Sequence, residues 1–564
     1  MVEYALVMQV FAKVTARESI FLVGFFLAVL IVTPYSVMDP INLPKMSVLG
    51  VLGFTLLGAL LNRPVLFKTR VQKLLVILTG LFILHGLLVL FFSGRTINQG
   101  LYGISGRNTG FLTYLCFAVV LYTAAQISSA IFVRAFLRVF MAIGFILMLY
   151  GTIQDLGLEP FPYINVYENN VFGTFGNPNF QSAFMGIFGA LLFALVLNES
   201  ESLIKRLILG LLTLACVYGV FITNSWQGFF NFGAGIGIAI ILNLYRLNRI
   251  KLGSIFLSLG IVSGLIILSG LLNQGPMAST LEKASLTARR LYWEAAVRML
   301  VDNPVFGVGW DGFRDWYRRA RTDSAAVNYA NLISDSAHSV PLDVASSGGF
   351  PLLILYLSFV VLGVFSVIKV VKNKSHLSVN FIALVAAWGS YQAQSLISIN
   401  QIGLGVLGWS LLGLIIGYSA YEGDLNQTSE KQNSKLRIKN SAKSVSFTSL
   451  VGPLIGFIVG CLVSVPPFIA ANKFYEGMKT SDARVINSNG YLKPLDLQRM
   501  LYAANILEKN RFYKESHAIA QTATENFPDS YDAWRFLSTL TNATKFEKTL
   551  AKSELDRLDP SRKP

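Results

Sequence analysis

Residues 74–92 read LLVILTGLFILHGLLVLFF, a run without a single formal charge. Wound as a helix, such a run spans about 28 Å, close to the roughly 30 Å hydrocarbon core of a bilayer. Stretches of the same kind recur on both sides of it, near 20–37, 46–62, 110–128, 134–152, 180–198, 205–223, 229–245, 252–271, 350–370, 379–398, 403–420 and 448–470. The 564 residues are 53% hydrophobic and 14% charged, which argues against a soluble multidomain enzyme. An all-α, polytopic membrane bundle of about 13 transmembrane helices is expected.

Charge orients those spans. Lys13 and Arg17; Arg63, Lys68, Arg70 and Lys73; Arg134 and Arg138; Lys205 and Arg206; Arg246, Arg249 and Lys251; Lys369, Lys372 and Lys374; and Lys431, Lys435, Arg437, Lys439 and Lys443 all fall on one side. The alternate short loops hold only Lys45, Arg95 and Arg107. The asymmetry predicts a cytoplasmic amino terminus, with the long loop 272–349 and everything after 470 outside the cytoplasm. The net charge of +16 is accounted for by topology and calls for no nucleic-acid partner. No small-residue cleavage site follows the first span, so it reads as a retained signal anchor.

The expected organisation is a transmembrane domain over 1–421, a polar cytoplasmic linker over 422–447, a last span over 448–470 and an external tail over 471–564. In the tail, helices are expected near 495–509, 511–526, 529–543 and 545–558. Tyr502 recurs as Phe536, Ile506 as Leu540 and Phe512 as Phe546, about the tetratricopeptide period apart. Ala503, Ala504, Ala518, Ala533 and Ala551 suit close helix packing, with Pro528 and Pro560 closing units; a plain helical bundle is the other reading. Cys116, Cys216 and Cys461 sit inside spans as small apolar residues. The histidines, at 85, 338, 376 and 517, are scattered, so no metal site is expected.

The chemistry concentrates in the long loop. Thr287 is read as an N-cap, after which Ala288, Leu291, Tyr292, Ala295 and Met299 recur at helical spacing. Arg289 and Arg290 lie in the first turn, where Trp293 and Glu294 at i+4 offer structural partners, while a guanidinium also suits phosphate oxygens. Gly307-Val308-Gly309-Trp310-Asp311-Gly312 fits G-x-G-x-x-G but follows no strand, so it is read as a tight turn without a dinucleotide. His338 stands among Ser334, Ser336 and Ser339 with Asp335 and Asp343 near; an imidazole there is either structural or a proton acceptor near neutrality. Earlier in the chain, Asn177-Pro178-Asn179 after GTFG marks a helix start, either a plain turn or a set of free N–H groups where phosphate binds. Trp226, Trp310 and Trp316 are either interfacial aromatics or platforms for sugar rings.

Taken in order, GTFGNPNF (173–180), Arg289 to Trp293 as R-x-x-x-W, DNPVFGVGWDGF (302–313) and AHSVPLDVASSGGFPLLILY (337–356) resemble the O-antigen ligase and polymerase superfamily of membrane glycosyltransferases. The likeness runs over roughly residues 20–420, and SGRTINQGLYGISGRNTGFLTY (93–114), with Arg95 and Arg107, is similar to that family's outer loop before the fourth span. The resemblance implies transfer of a glycan from an undecaprenyl pyrophosphate carrier at the outer face of the bacterial cytoplasmic membrane, without metal, nucleotide or other cofactor. It implies catalytic roles for His338, assisting the acceptor hydroxyl, and Arg289, stabilising the departing pyrophosphate. Arg290, Arg95, Arg107, Asn177, Asn179 and Gln227 are its expected substrate-binding residues. Two departures stand out: Ser225-Trp226-Gln227-Gly228 replaces the family's Ser-Arg pair, and His338-Ser339 its His-Asn pair.

The expected partners are a lipid-linked glycan donor, a glycan, lipid or protein acceptor, membrane lipids, and an envelope protein bound by the helical tail. Transfer to a protein hydroxyl is an alternative within the class. A transporter or flippase would place ionisable residues near mid-membrane, where His85 and Gln154 are among the few polar candidates. A scaffold that merely anchors the tail would need a single span.

Overall fold

The computed structural model describes residues 14–61, 69–162, 167, 170–279, 284–373, 377–420 and 447–561. Lys13, Arg63, Lys68, Glu168, Lys374, His376 and the linker residues 421–446 lie outside the described residues. Among the described residues the regular structure is helical throughout, with no strand. The protein is a polytopic helical membrane bundle.

Each expected span falls on a helix, but they are not equal. Among the described residues nine helices are long and apolar enough to cross a membrane, and the bent pair Leu450–Ser464 and Pro466–Lys479 makes a tenth. Ala16–Leu30 and Phe111–Gln126 are shorter, with 15 and 16 residues. Val379–Ile397 has the length but carries Gln392, Gln394 and Ser395 in its last turns. The first helix stops at Leu30 instead of running to 37, because the backbone turns extended at Ile31 ahead of Pro34. Lys45, expected in a loop, is instead fully buried in helix Asn42–Leu61, where its ammonium donates to the carbonyls of Val29 (2.5 Å) and Ile31 (3.0 Å). It thereby satisfies acceptors that the end of the first helix leaves open.

Helix Ile402–Ala420 is the centre of the bundle and is buried along nearly its whole length, whereas Ile250–Leu271 is exposed along nearly all of its length and faces outward. The last span lies along Asn42–Leu61 at backbone distance: a Cβ on Gly456 would meet the carbonyl oxygen of Phe54, and one on Gly58 that of Gly452. Ser47 and Ser464 exchange hydrogen bonds with each other's carbonyls across this seam (3.0 and 3.2 Å). Small residues and shared hydroxyls do here what apolar burial cannot do in lipid.

Beyond Ser464 come six short helices, Pro466–Lys479, Ala483–Gly490, Leu497–Lys509, Tyr513–Asn526, Tyr531–Thr539 and Lys545–Leu558. The last four lie where the tail helices are expected. They close around two small cores, one including Met500, Ala503, Leu507 and Ile519, the other Trp534, Leu537, Ala551 and Leu558. This tail sits on the long loop through charge. Loop helix Phe313–Ala320 and the residue after it present Arg314 to Asp532 (2.7 Å), Arg319 to Asp529 (2.9 Å) and Arg321 to Asp559 (2.8 Å), while Arg318 lies over the Tyr531 ring at 4.0 Å.

Candidate active site

The face that carries the long loop and the tail, called the loop face below, owes its relief to one broken helix. Val340–Lys372 loses helical geometry at Gly348 and Gly349, just before Pro351. Gly349 has φ +73°, and a Cβ there would strike the carbonyl oxygen of Pro304. The break frees backbone groups that residues 304–309 then take up: Val308 N–H donates to the Ser346 carbonyl (2.7 Å), Gly309 N–H to that of Ser347 (3.1 Å), and Phe350 N–H to that of Pro304 (2.8 Å). Gly307 and Gly309, both at positive φ, make the tight turn expected of G-V-G-W-D-G. Trp310, which the sequence left open as a sugar platform, is 1% exposed; its indole donates to the Gly86 carbonyl (2.9 Å) and packs on Tyr114. Its ring is therefore committed to the bundle.

Beside the break runs loop helix Ala284–Asp302, which buries Tyr292, Ala295, Ala296 and Met299 against Val308, Phe313, Tyr317 and Ala337. The helix begins at Ala284, before Thr287, so Thr287 is not its N-cap. The Thr287 hydroxyl instead accepts from the Arg290 guanidinium at 3.0 Å. Neither an Arg290–Glu294 ion pair nor an Arg289–Trp293 stack forms among the described residues, which leaves Arg289 with no hydrogen-bonding or ionic partner there.

One turn on from Arg289, Tyr292 stacks on the imidazole of His338, centroids 5.4 Å apart at 26°. His338 itself holds φ +52°, a conformation side-chain-bearing residues seldom adopt, in the turn that leads into the broken helix. Asp343, one turn into that helix, accepts from the Ala337 N–H at 2.7 Å and so closes the turn that aims the imidazole. Burial, and then the nearby charge of Arg289, push the His338 pKa down to about 4 against the opposing pull of Asp335. The imidazole is neutral at pH 7. Burial likewise lowers the pKa of Arg289, with only Tyr292 countering it, and the guanidinium stays charged. The structure thus brings together the two residues expected to be catalytic, an imidazole of lowered pKa and a guanidinium with no ionic partner among the described residues.

The other expected residues take different places. Arg107 is 8% exposed and meets three carboxylates, Asp311 at 3.2 Å, Asp335 at 3.6 Å and Asp343 at 3.7 Å. Burial pulls its pKa down, yet the three carboxylates together carry it above the ordinary arginine value. Arg95 forms a buried pair with Asp315 at 3.0 Å. Asn177 caps helix Pro178–Val196, as its position before Pro178 predicts. Asn179 accepts from the Ser225 hydroxyl (2.7 Å), and Gln227 donates to Gln394 inside the bundle. The hydrogen bonds of Asn177, Asn179 and Gln227 run to neighbours on their own side of the bundle, and none reaches Arg289 or His338.

Sequence reasoning missed Tyr292 as the imidazole's partner, reading it only as part of an apolar helix face, and missed Asp311. Asp311 carries a signal in retrospect: a carboxylate set between glycines, here at φ +54°, whose oxygens accept from the Ile104 N–H (2.9 Å) and the Thr109 hydroxyl (3.1 Å). Among the described residues no group of three or more His, Cys, Asp or Glu side chains is arranged to hold a metal ion.

A protein-family model described as O-antigen ligase matches residues 209–357, the stretch that holds Gln227, Arg289, Asp311, Asp335, His338, Asp343 and the helix break. No curated protein matches the chain. That match lies across the Arg289–His338 turn and the broken helix that shapes it, and it supports a membrane protein of the O-antigen ligase/polymerase superfamily with a glycosyltransferase-like function in polysaccharide biosynthesis.

Proposed function

We propose that the protein is an inverting glycosyltransferase that moves a glycan from an undecaprenyl pyrophosphate carrier to an acceptor hydroxyl. The observation that supports it best is the neutral, Tyr292-stacked imidazole of His338 beside Arg289, a cation with no ionic partner among the described residues. The acceptor oxygen attacks the anomeric carbon from the face opposite the carrier, and its proton passes to the free ring nitrogen of His338. As the new glycosidic bond forms, the bond to the pyrophosphate oxygen breaks and its electron pair stays on the phosphate. A guanidinium already in place meets that growing negative charge without reorganising. Inversion follows from the single displacement.

The same geometry makes the base respond to the donor. Arg289 is a main reason the imidazole is a weak base, and a bound pyrophosphate offsets that charge, raising the imidazole pKa toward the range where proton acceptance is efficient. In this reading the amino terminus is cytoplasmic and the loop face lies outside the cytoplasmic membrane, an orientation supported by the asymmetry of basic residues in the sequence. The tail is read as two tetratricopeptide-like units.

The test is transfer by the purified protein, given carrier-linked glycan extracted from the source cells without added nucleotide or metal. Wild type is expected to consume the carrier-linked glycan, and His338→Ala and Arg289→Ala to lose at least about a hundredfold in rate. Product size separates polymerisation from ligation. Variants that match a folded, active wild type would remove both residues from the mechanism.

A further inference from the structure

Between the loop face and the tail lies a cavity of about 630 Å³. From the membrane side it is lined by Asp39, Asn98, Gln99, Tyr102 and the segment Gly103–Gly106, and from the tail by Phe474, Gln498, Tyr502 and Asn505. Neither half encloses it alone.

Most ionic groups in this lining are already engaged. Arg314 pairs with Asp532 and Asp315 with Arg95; Asp496 accepts from the Ser105 hydroxyl (2.9 Å); and Arg499 donates to the carbonyls of Leu492 and Pro494. What remains unpaired is chiefly neutral. The side chains of Asn98, Gln498 and Asn505 make no hydrogen bond among the described residues, and one carboxylate oxygen of Asp39 is buried without a partner while the other takes the N–H groups of Ile41 and Asn42. Tyr502 stands edge to face on Phe474 and is 43% exposed, leaving a ring available at the cavity. Amides without a partner beside an aromatic face match vicinal hydroxyls over a sugar's C–H face; among the described residues of the lining a phosphate would meet two cations, Arg314 already paired with Asp532 and Arg499 already held by two carbonyls. Position favours the same ligand. Gly103–Gly106 and Asn108 line the cavity, while Arg107 between them points to the Asp335–Asp343 side that carries His338. One loop separates the two places.

We propose that this cavity is a second glycan site, which holds an uncharged or amino-sugar stretch of the acceptor or growing polysaccharide at a distance from the reacting bond. The proposal rests on the transferase reading for the source of the glycan, and its test reads binding instead of turnover. The probe is envelope polysaccharide from the source cells, freed of lipid by mild acid and fluorescently labelled at its reducing end, titrated into the full-length protein in detergent. Wild type and His338→Ala are expected to bind alike, and Tyr502→Ala and Asn505→Ala to bind about tenfold more weakly at unchanged melting temperature, since both side chains are partly exposed. Absence of binding by wild type, or equal binding by both tail variants, overturns the site. So does Tyr502-dependent binding of an unglycosylated Ser/Thr-rich peptide without binding of the polysaccharide, which would make the cavity a polypeptide site. Loss of transfer in His338→Ala alongside absent polysaccharide binding refutes the cavity alone; tail-dependent binding in a wild-type protein that transfers nothing refutes the transferase alone.

Discussion

At His338 the question is which protonation state the fold selects. Burial and Arg289 hold the imidazole near 4, below its ordinary 6.5, so the unfolded chain binds more protons between those values. The stability this group contributes is fully present above about 6.5 and is lost as the pH falls through about 4. Modification by diethyl pyrocarbonate, mapped by mass spectrometry, should therefore proceed at a pH-independent rate from 7 down to about 5 at His338 and slow only below that. Arg289→Gln removes the second cause of the depression and should move the slowing to higher pH; a wild-type midpoint near 6.5, or no movement in the variant, would refute the electrostatic link. Motif order in the sequence singled out His338 and Arg289, which the structure places side by side, but it could not give the place of Arg107. Its three carboxylates lie more than 200 residues further along the chain, and no local spacing announces a contact made only by the folded bundle. Read as a loop arginine it looked available for phosphate; in the structure its charge is already answered.

At the level of elements, the break in Val340–Lys372 shapes the site. Gly349→Ala puts a Cβ at φ +73° against the Pro304 carbonyl, and should cost roughly 1–3 kcal/mol. Gly264→Ala, on a lipid-facing helix with nothing within 4 Å of the added atom, should leave the melting temperature in detergent unchanged. Equal melting of the two variants would show that the seat of residues 304–309 does not depend on the break. Long apolar runs located the spans, because lipid imposes the same demand on every one, but gave no sign of the short helices Ile97–Tyr102, Phe313–Ala320, Asp323–Asn328 and Ala483–Gly490. Helix ends were less legible. The first helix is shortened by extended backbone ahead of Pro34, with Lys45 from the next helix holding its last carbonyls, and a lysine read as a loop charge gives no hint of that task. The start of helix Ala284–Asp302 went astray for a related reason: Thr287 looks like a cap, but its hydroxyl serves Arg290.

Across the whole molecule, loop and tail are joined by pairs of unequal worth. Arg321 and Asp559 are 5% and 3% exposed, so Asp559→Ala strands a buried guanidinium and should cost roughly 3–5 kcal/mol. Asp532→Ala breaks a pair whose partners are 37% and 41% exposed, worth about 0–1 kcal/mol. Limited proteolysis of the tail should be faster in the first variant and unchanged in the second. Joint replacement, Arg321→Met with Asp559→Leu, should restore most of the protection; failure to do so would mean that more than this charge pair holds the tail. None of these contacts was visible in the sequence, where Arg314, Arg318, Arg319 and Arg321 carried no signal and the tail read as a separate unit.

Helix Ile250–Leu271 has almost no protein around it, yet it is the span from which the long loop departs toward Arg289. A helix gripped by neighbours keeps its inclination in any membrane; one surrounded by acyl chains leans until its apolar length matches the hydrocarbon around it. The height at which residue 272 leaves the bilayer is thus set partly by the lipids themselves, and the thickness of the host membrane becomes one of the coordinates of the reaction.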